Sequence, residues 1–116
     1  MKRKAVIALC VIATIILTAG MLLAAGNFTG TWNTAWGPLK MTQTGDKVVG
    51  TYGGPYPGKL QGVVKGNRLI YSWMGDHGAG GRGYFVLSAD GNSFTGMWGR
   101  GNSPKNGGEW NGQRTE

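Results

Sequence analysis

The sequence predicts an all-β fold, an eight-stranded antiparallel up-and-down meander barrel preceded by an N-terminal apolar leader helix. Three observations carry this reading. A Gly-Asp or Gly-Asn turn followed by alternating residues recurs along the chain. The runs between these repeats are themselves strand-like. And the 23 glycines among 116 residues leave no helical period after the leader.

The repeat is seen by aligning the chain on itself. Gly45 to Tyr52, Gly66 to Trp73 and Gly91 to Trp98 superimpose without gaps, and Asn27 to Trp32 fits with one residue missing near its start. Gly and Asn tolerate positive φ, and alternation matches the two-residue period of a strand, so each copy reads as a turn and the strand after it. Interleaving the copies with the intervening runs gives strands at 27–33, 37–44, 47–53, 58–65, 68–74, 82–89, 93–99 and 107–114. Connections this short permit only antiparallel neighbours, and closing the meander removes both exposed edges.

The connections differ at the two ends. Tight turns fall at Thr44 to Lys47, Lys65 to Arg68 and Ala89 to Ser93. Longer loops fall at the other end: Thr34 to Trp36, Gly54 to Pro57, Gly75 to Gly81 and Arg100 to Asn106. Binding residues concentrate on such loops over a rigid scaffold.

Alternation also sets which side chains face inward. Phe28, Trp32, Val48, Tyr52, Leu69, Tyr71, Trp73, Phe94 and Trp98 share one face of the repeats, with Leu39, Met41, Leu60, Val64, Phe85, Leu87 and Trp110 supplied by the partner strands. Threonines and Ser72 take the other face. Central glycines (Gly30, Gly50, Gly62, Gly96, Gly112) make room for bulky neighbours or serve strand bending. Trp32, Tyr52, Trp73 and Trp98 end strands that run toward the loops, and Trp110 opens the last strand there, so these five aromatics are expected to ring the mouth. The ring has two readings: packing of a self-filled barrel, or a pocket for an apolar or ring-shaped ligand. Trp36 and Tyr56 lie in loops outside the barrel pattern and suit glycan stacking or a lid.

The leader gives the location. Lys2, Arg3 and Lys4 precede 21 uncharged residues from Ala5 to Ala25, and Ala24-Ala25-Gly26 offers a cleavage site. Residues 1–26 are therefore a signal peptide or an uncleaved N-terminal membrane anchor, and 27–116 form the barrel domain. Either leader places the domain outside the cytoplasm, because the basic end stays inside. Cleavage would remove Cys10, the only cysteine, leaving no disulfide and no thiol chemistry. Without the three leader cations the charge is +4, nine Lys and Arg against five Asp and Glu. That mild excess suits an envelope with anionic lipids and polysaccharides.

Other motifs carry less. His77, the only histidine, follows Asp76 in a Gly-rich loop, but no activated nucleophile accompanies it, and no cluster of metal ligands at a useful spacing is present. Arg82-Gly83-Tyr84-Phe85-Val86 approaches the RNA-binding strand pattern, yet one missing residue puts its aromatics on opposite faces, which argues against nucleic acid. Arg82, Arg100 and Lys105 form a candidate basic rim.

Gly30-Thr31-Trp32 and Gly50-Thr51-Tyr52 resemble the opening of avidin and streptavidin, the biotin-binding eight-stranded barrels, and Gly96-Met97-Trp98 continues the theme loosely. The resemblance covers about two strands. It implies a barrel of that type and a ligand-contacting role for Tyr52, and less directly for Trp73 and Trp98. Trp32 is followed directly by Asn33, where that family interposes an aromatic residue, and its late Asp has no counterpart. Over most of its domain the chain also looks like small secreted Gly/Trp-rich bacterial barrel proteins with no assigned function.

These readings predict a non-enzymatic extracytoplasmic barrel without a cofactor, taking a small molecule or glycan at Trp32, Tyr52, Trp73, Trp98, Trp110, Trp36 and Tyr56. Membrane contact is expected only through an uncleaved leader. The alternative is a structural or adhesive envelope protein acting through its outer surface.

Overall fold

The computed structural model describes residues 27–115, so the leader, its cleavage site and Cys10 lie outside the described residues. Nine strand segments occupy eight places in one sheet: β1 (Gly30–Thr34), β2 (Gly37–Thr44), β3 (Lys47–Tyr52), β4 (Gly58–Lys65), β5 (Arg68–Gly75), β6 (Gly80–Leu87), β7 (Ser93–Arg100), β8 (Gly108–Glu109) and β9 (Gly112–Arg114). Every pairing is antiparallel, each strand from β1 to β7 lies beside the next, and β9 pairs with both β7 and β1. The meander is thus a closed barrel, as the alternation and short turns require.

The expected eighth strand, 107–114, is interrupted at Trp110 and Asn111. Its register against β7 does not slip, because Trp98 faces Gly108 and Phe94 faces Gly112. Trp110 N–H donates to the Gly96 carbonyl, while Gly96 N–H is taken by Asn111 Oδ1 at 3.1 Å. An asparagine side chain replaces one backbone acceptor and breaks the ladder without an extra residue.

Two further boundaries differ from expectation. Residues 27–29 run beside β2 without a full ladder: Phe28 N–H donates to Gln43 Oε1 and Gln43 N–H to Thr29 Oγ1, so side chains satisfy this stretch. At β6 the strand begins at Gly80 instead of residue 82, because Gly81 sits opposite Trp73 in the ladder. A Cβ at Gly81 would strike the Gly99 carbonyl and the Trp73 indole, so this glycine is a close-approach residue and no loop signal.

Three connections have two residues each, and the expected longer loop at Thr34 to Trp36 is one of them, made by Ala35 and Trp36 alone. In the two at the opposite end, Gly45 and Gly66 come first with φ near +64° and +63°, and no non-glycine among the described residues has positive φ. Glycine at the first central position with an ordinary second residue is the type II′ pattern, whose twist matches that of the flanking strands. In the longer β6–β7 turn Asp90 Oδ1 accepts from Ser88 Oγ and Asn92 N–H. Those bonds to the charged form hold the exposed Asp90 carboxyl below its ordinary range.

Every buried hydrophobic side chain is one that alternation points inward, from Phe28 through Trp110. At the tight-turn end, Phe85 and Phe94 stack with centroids 4.1 Å apart and Trp32 meets Phe94 edge-on at 5.1 Å.

Closure is held by a residue outside the hydrophobic pattern. Arg114 donates through Nε to Gly91 O and through its terminal nitrogens to Asn27 O and Thr29 O, and its guanidinium lies 4.2 Å from the Trp32 ring centroid. A planar fork with several donors fits this arrangement, and an ammonium does not. Arg114→Lys is therefore expected to cost on the order of 2 kcal/mol in denaturant unfolding, since bonds to charged donors contribute more than neutral ones. A loss below about 0.5 kcal/mol, the range of ordinary surface substitutions, would show that the clasp is dispensable.

Candidate functional site

The loops between β1 and β2, β3 and β4, β5 and β6, and β7 and β8 share one end of the barrel, where the first three and the end of β7 border an open cavity of about 300 Å³. They are tied to one another and to the strand ends. Asp76 N–H donates to Pro57 O, joining the second loop to the third. Gly101 N–H reaches Gly80 O, and Arg100 N–H is capped by Asn106 Oδ1 at 2.8 Å. In the first loop Thr34 Oγ1 donates to Gly37 O and accepts from Trp36 N–H, fixing the short turn that presents the Trp36 ring.

Six of the seven expected site residues line this cavity: Trp36, Tyr52, Tyr56, Trp73, Trp98 and Trp110. Across the mouth, Tyr56, Trp36, Trp98 and Trp73 form a run of edge-to-face contacts with successive centroid separations of 6.1, 5.6 and 5.7 Å. Deeper in, Trp110 meets Tyr52 edge-on at 5.2 Å and also contacts Tyr71 and Phe85. Such T-shaped pairs are the preferred arrangement of quadrupolar rings. Here they hold the faces apart instead of letting them stack flat across the opening.

Trp32 is the exception. Expected at the mouth, it is fully buried and absent from the cavity wall. Its indole N–H donates to Phe28 O, and its ring lies between Phe94 and Arg114, so packing at the closed end claims it. Strand order places the backbone of Trp32 near the loops, but the side chain leans the other way.

The cavity also takes residues outside the expected aromatic set. Asp76, His77, Pro57, Ala79 and Arg100 are in its wall, and the Arg100 guanidinium is 5.7 Å from the Trp98 ring centroid. The signal available was the position of these residues at the open end; their types alone did not separate a cavity wall from any exposed loop. Of the three candidate rim cations only Arg100 borders the cavity. In the RNA-like segment, Phe85 is buried while Tyr84 faces outward under Arg68, as the missing residue implies.

Hydrogen bonding divides the indoles. Trp73 Nε1 donates to Gly99 O at 2.9 Å. Trp98 Nε1 and Trp110 Nε1 are buried and have no partner among the described residues. A buried donor without an acceptor costs roughly 1–3 kcal/mol, so two in one wall are a local deficit. The site thus combines flat apolar rings, two unsatisfied donors, a carboxylate, an imidazole and a guanidinium. Among the described residues no three His, Cys, Asp or Glu side chains gather to hold a metal ion. No family model, curated protein or solved structure matches this chain.

Two phenols at the base of the site respond to its surroundings. Burial pushes the Tyr71 hydroxyl, which donates to Met97 O, far above the ordinary tyrosine range. Tyr52 is raised by burial first and then by the Asp76 charge. In the unfolded chain both would ionise near pH 10. Their folded values lie higher, so their contribution to stability is complete below about pH 10 and is lost as pH rises beyond it. Stability measured by urea unfolding should therefore fall steeply above about pH 10, with tyrosinate absorbance from Tyr52 and Tyr71 appearing together with unfolding. Ionisation of all four tyrosines near pH 10 in a barrel that stays folded would contradict this assignment.

Proposed function

We propose that this chain is a non-enzymatic extracytoplasmic barrel that binds a small ring-bearing ligand or glycan at its open end. The observation that carries the reading is the cavity itself, held open by edge-to-face aromatics where a self-filled barrel would have no space. Its size lies at the lower end of small-molecule sites, which combine mostly apolar walls with a few placed polar groups. Trp36 and Tyr56 offer flat faces to a sugar ring or an aromatic ligand, and Tyr56 is 66% exposed, ready to close over it. Asp76, His77 and Arg100 supply acceptors and donors around the opening. The resemblance to the biotin-binding barrels supports a ligand at this end and does not choose one. The leader expected at residues 1–26 supports the extracytoplasmic location.

The test is intrinsic tryptophan fluorescence and thermal shift against envelope sugars, lipids and vitamins. At least one class is expected to alter the emission and raise the melting temperature. Trp36→Ala should then weaken binding roughly tenfold, about 1.4 kcal/mol, with little change in stability. Silence across the panel, with Trp36→Ala and Trp73→Ala both losing stability, would reduce the ring to core.

A further inference from the structure

The outer face of β2 to β6 has a composition that neither the core nor the mouth requires. Six of the nine Lys and Arg after the leader project from it: Lys40, Lys47, Lys59, Lys65, Arg68 and Arg82. No Asp or Glu lies within these five strands. The ladder sets Lys65 directly opposite Arg68, a like-charge pair that destabilises a sheet unless an anion lies over it.

The same face exposes aliphatic side chains. Val49, Ile70 and Met74 are 58%, 50% and 68% exposed, and Val63 stands beside Ile70 across β4 and β5. Met74 in turn faces Lys59. A groove of about 830 Å³ crosses the face, lined by Lys40, Val49, Lys59 and Met74 and, where it nears the loop end, by Asp76 as its one acidic residue. Cations therefore alternate with apolar side chains over the outside of these strands, and this surface meets the loop-end opening at Trp73, Gly75 and Asp76.

We propose that this flank docks on an anionic phospholipid surface. Charge complementarity calls for a polyanion, and the aliphatic side chains decide which kind. A charged polysaccharide would neutralise the lysines but give Ile70 and Met74 nothing apolar to enter. A bilayer interface supplies headgroup phosphates for Lys40, Lys59 and Arg68 together with an acyl boundary for Val49, Ile70 and Met74. The residues named for this contact all lie outside the cavity wall, so it stands whether or not the cavity binds a ligand.

The experiment uses the full chain with Cys10→Ser and Met74→Cys, labelled at position 74 with an environment-sensitive fluorophore. A second chain carries the label at Gln113→Cys, an exposed position on β9 across the barrel. The position 74 label reads the flank, whatever the leader contributes to vesicle binding. Phosphatidylglycerol vesicles are expected to shift its emission to the blue at a lipid concentration at least tenfold below that needed with phosphatidylcholine. High salt should reverse the shift, Lys59→Glu with Arg68→Glu should abolish it, and the position 113 label should stay unchanged. Absence of a shift, equal shifts with the two lipids, an equal shift at position 113, or the same shift with dextran sulfate would each overturn the proposal.

Discussion

The barrel depends on a closure made by very little chain. β9 contributes three residues, and its contact with β1 comprises the pairs Trp32 with Arg114, Asn33 with Gln113 and Thr34 with Gly112. If that seam opened, β1 and β9 would become free edges and the Trp32–Phe94 contact would meet water. Arg114 reinforces the seam from outside the ladder, reaching the backbone of residues 27 and 29 on one side and the β6–β7 turn on the other. The mouth adjoins this closure, since Trp110 lies between β8 and β9 and Trp98 is on β7, the other neighbour of β9.

Closure also explains why aromatics of similar sequence context end in different places. At the tight-turn end the strands converge on small residues: a Cβ at Gly112 would meet the Phe94 ring, so the rings there pack without space. At the loop end the rings meet edge to face around an opening. Trp32 belongs to the first group and Trp73 and Trp98 to the second, although all three occupy the same position in the repeat. What separates them is the direction each side chain leans and the acceptor it finds: Phe28 O for Trp32, Gly99 O for Trp73 and none for Trp98.

Much of the fold was legible because it rests on local rules. The turn residues and the two-residue period give eight strand places and the identity of the inward side chains. Features that depend on contacts between distant segments were not legible. Glycine at residues 80 and 81 reads as loop from composition, yet it continues the ladder because an indole lies over it. Asn111 looks like an ordinary turn residue, and its role as a substitute backbone acceptor needs Gly96 in place. Arg114 near the C-terminus carries no pattern that foretells four partners. For the site, the aromatic set was readable from facing, whereas the inclusion of Asp76, His77 and Arg100 and the loss of Trp32 required side-chain direction.

The closed barrel holds an open, ring-lined space at one end and a filled core at the other. Xenon enters apolar space that side chains leave vacant, and the five indole N–H signals of the nitrogen-15 spectrum report on both ends at once. Under xenon pressure the signals of Trp36, Trp73, Trp98 and Trp110 should shift while that of Trp32 stays fixed. Five unmoved signals, or a shift at Trp32 as large as the others, would contradict this division of the barrel.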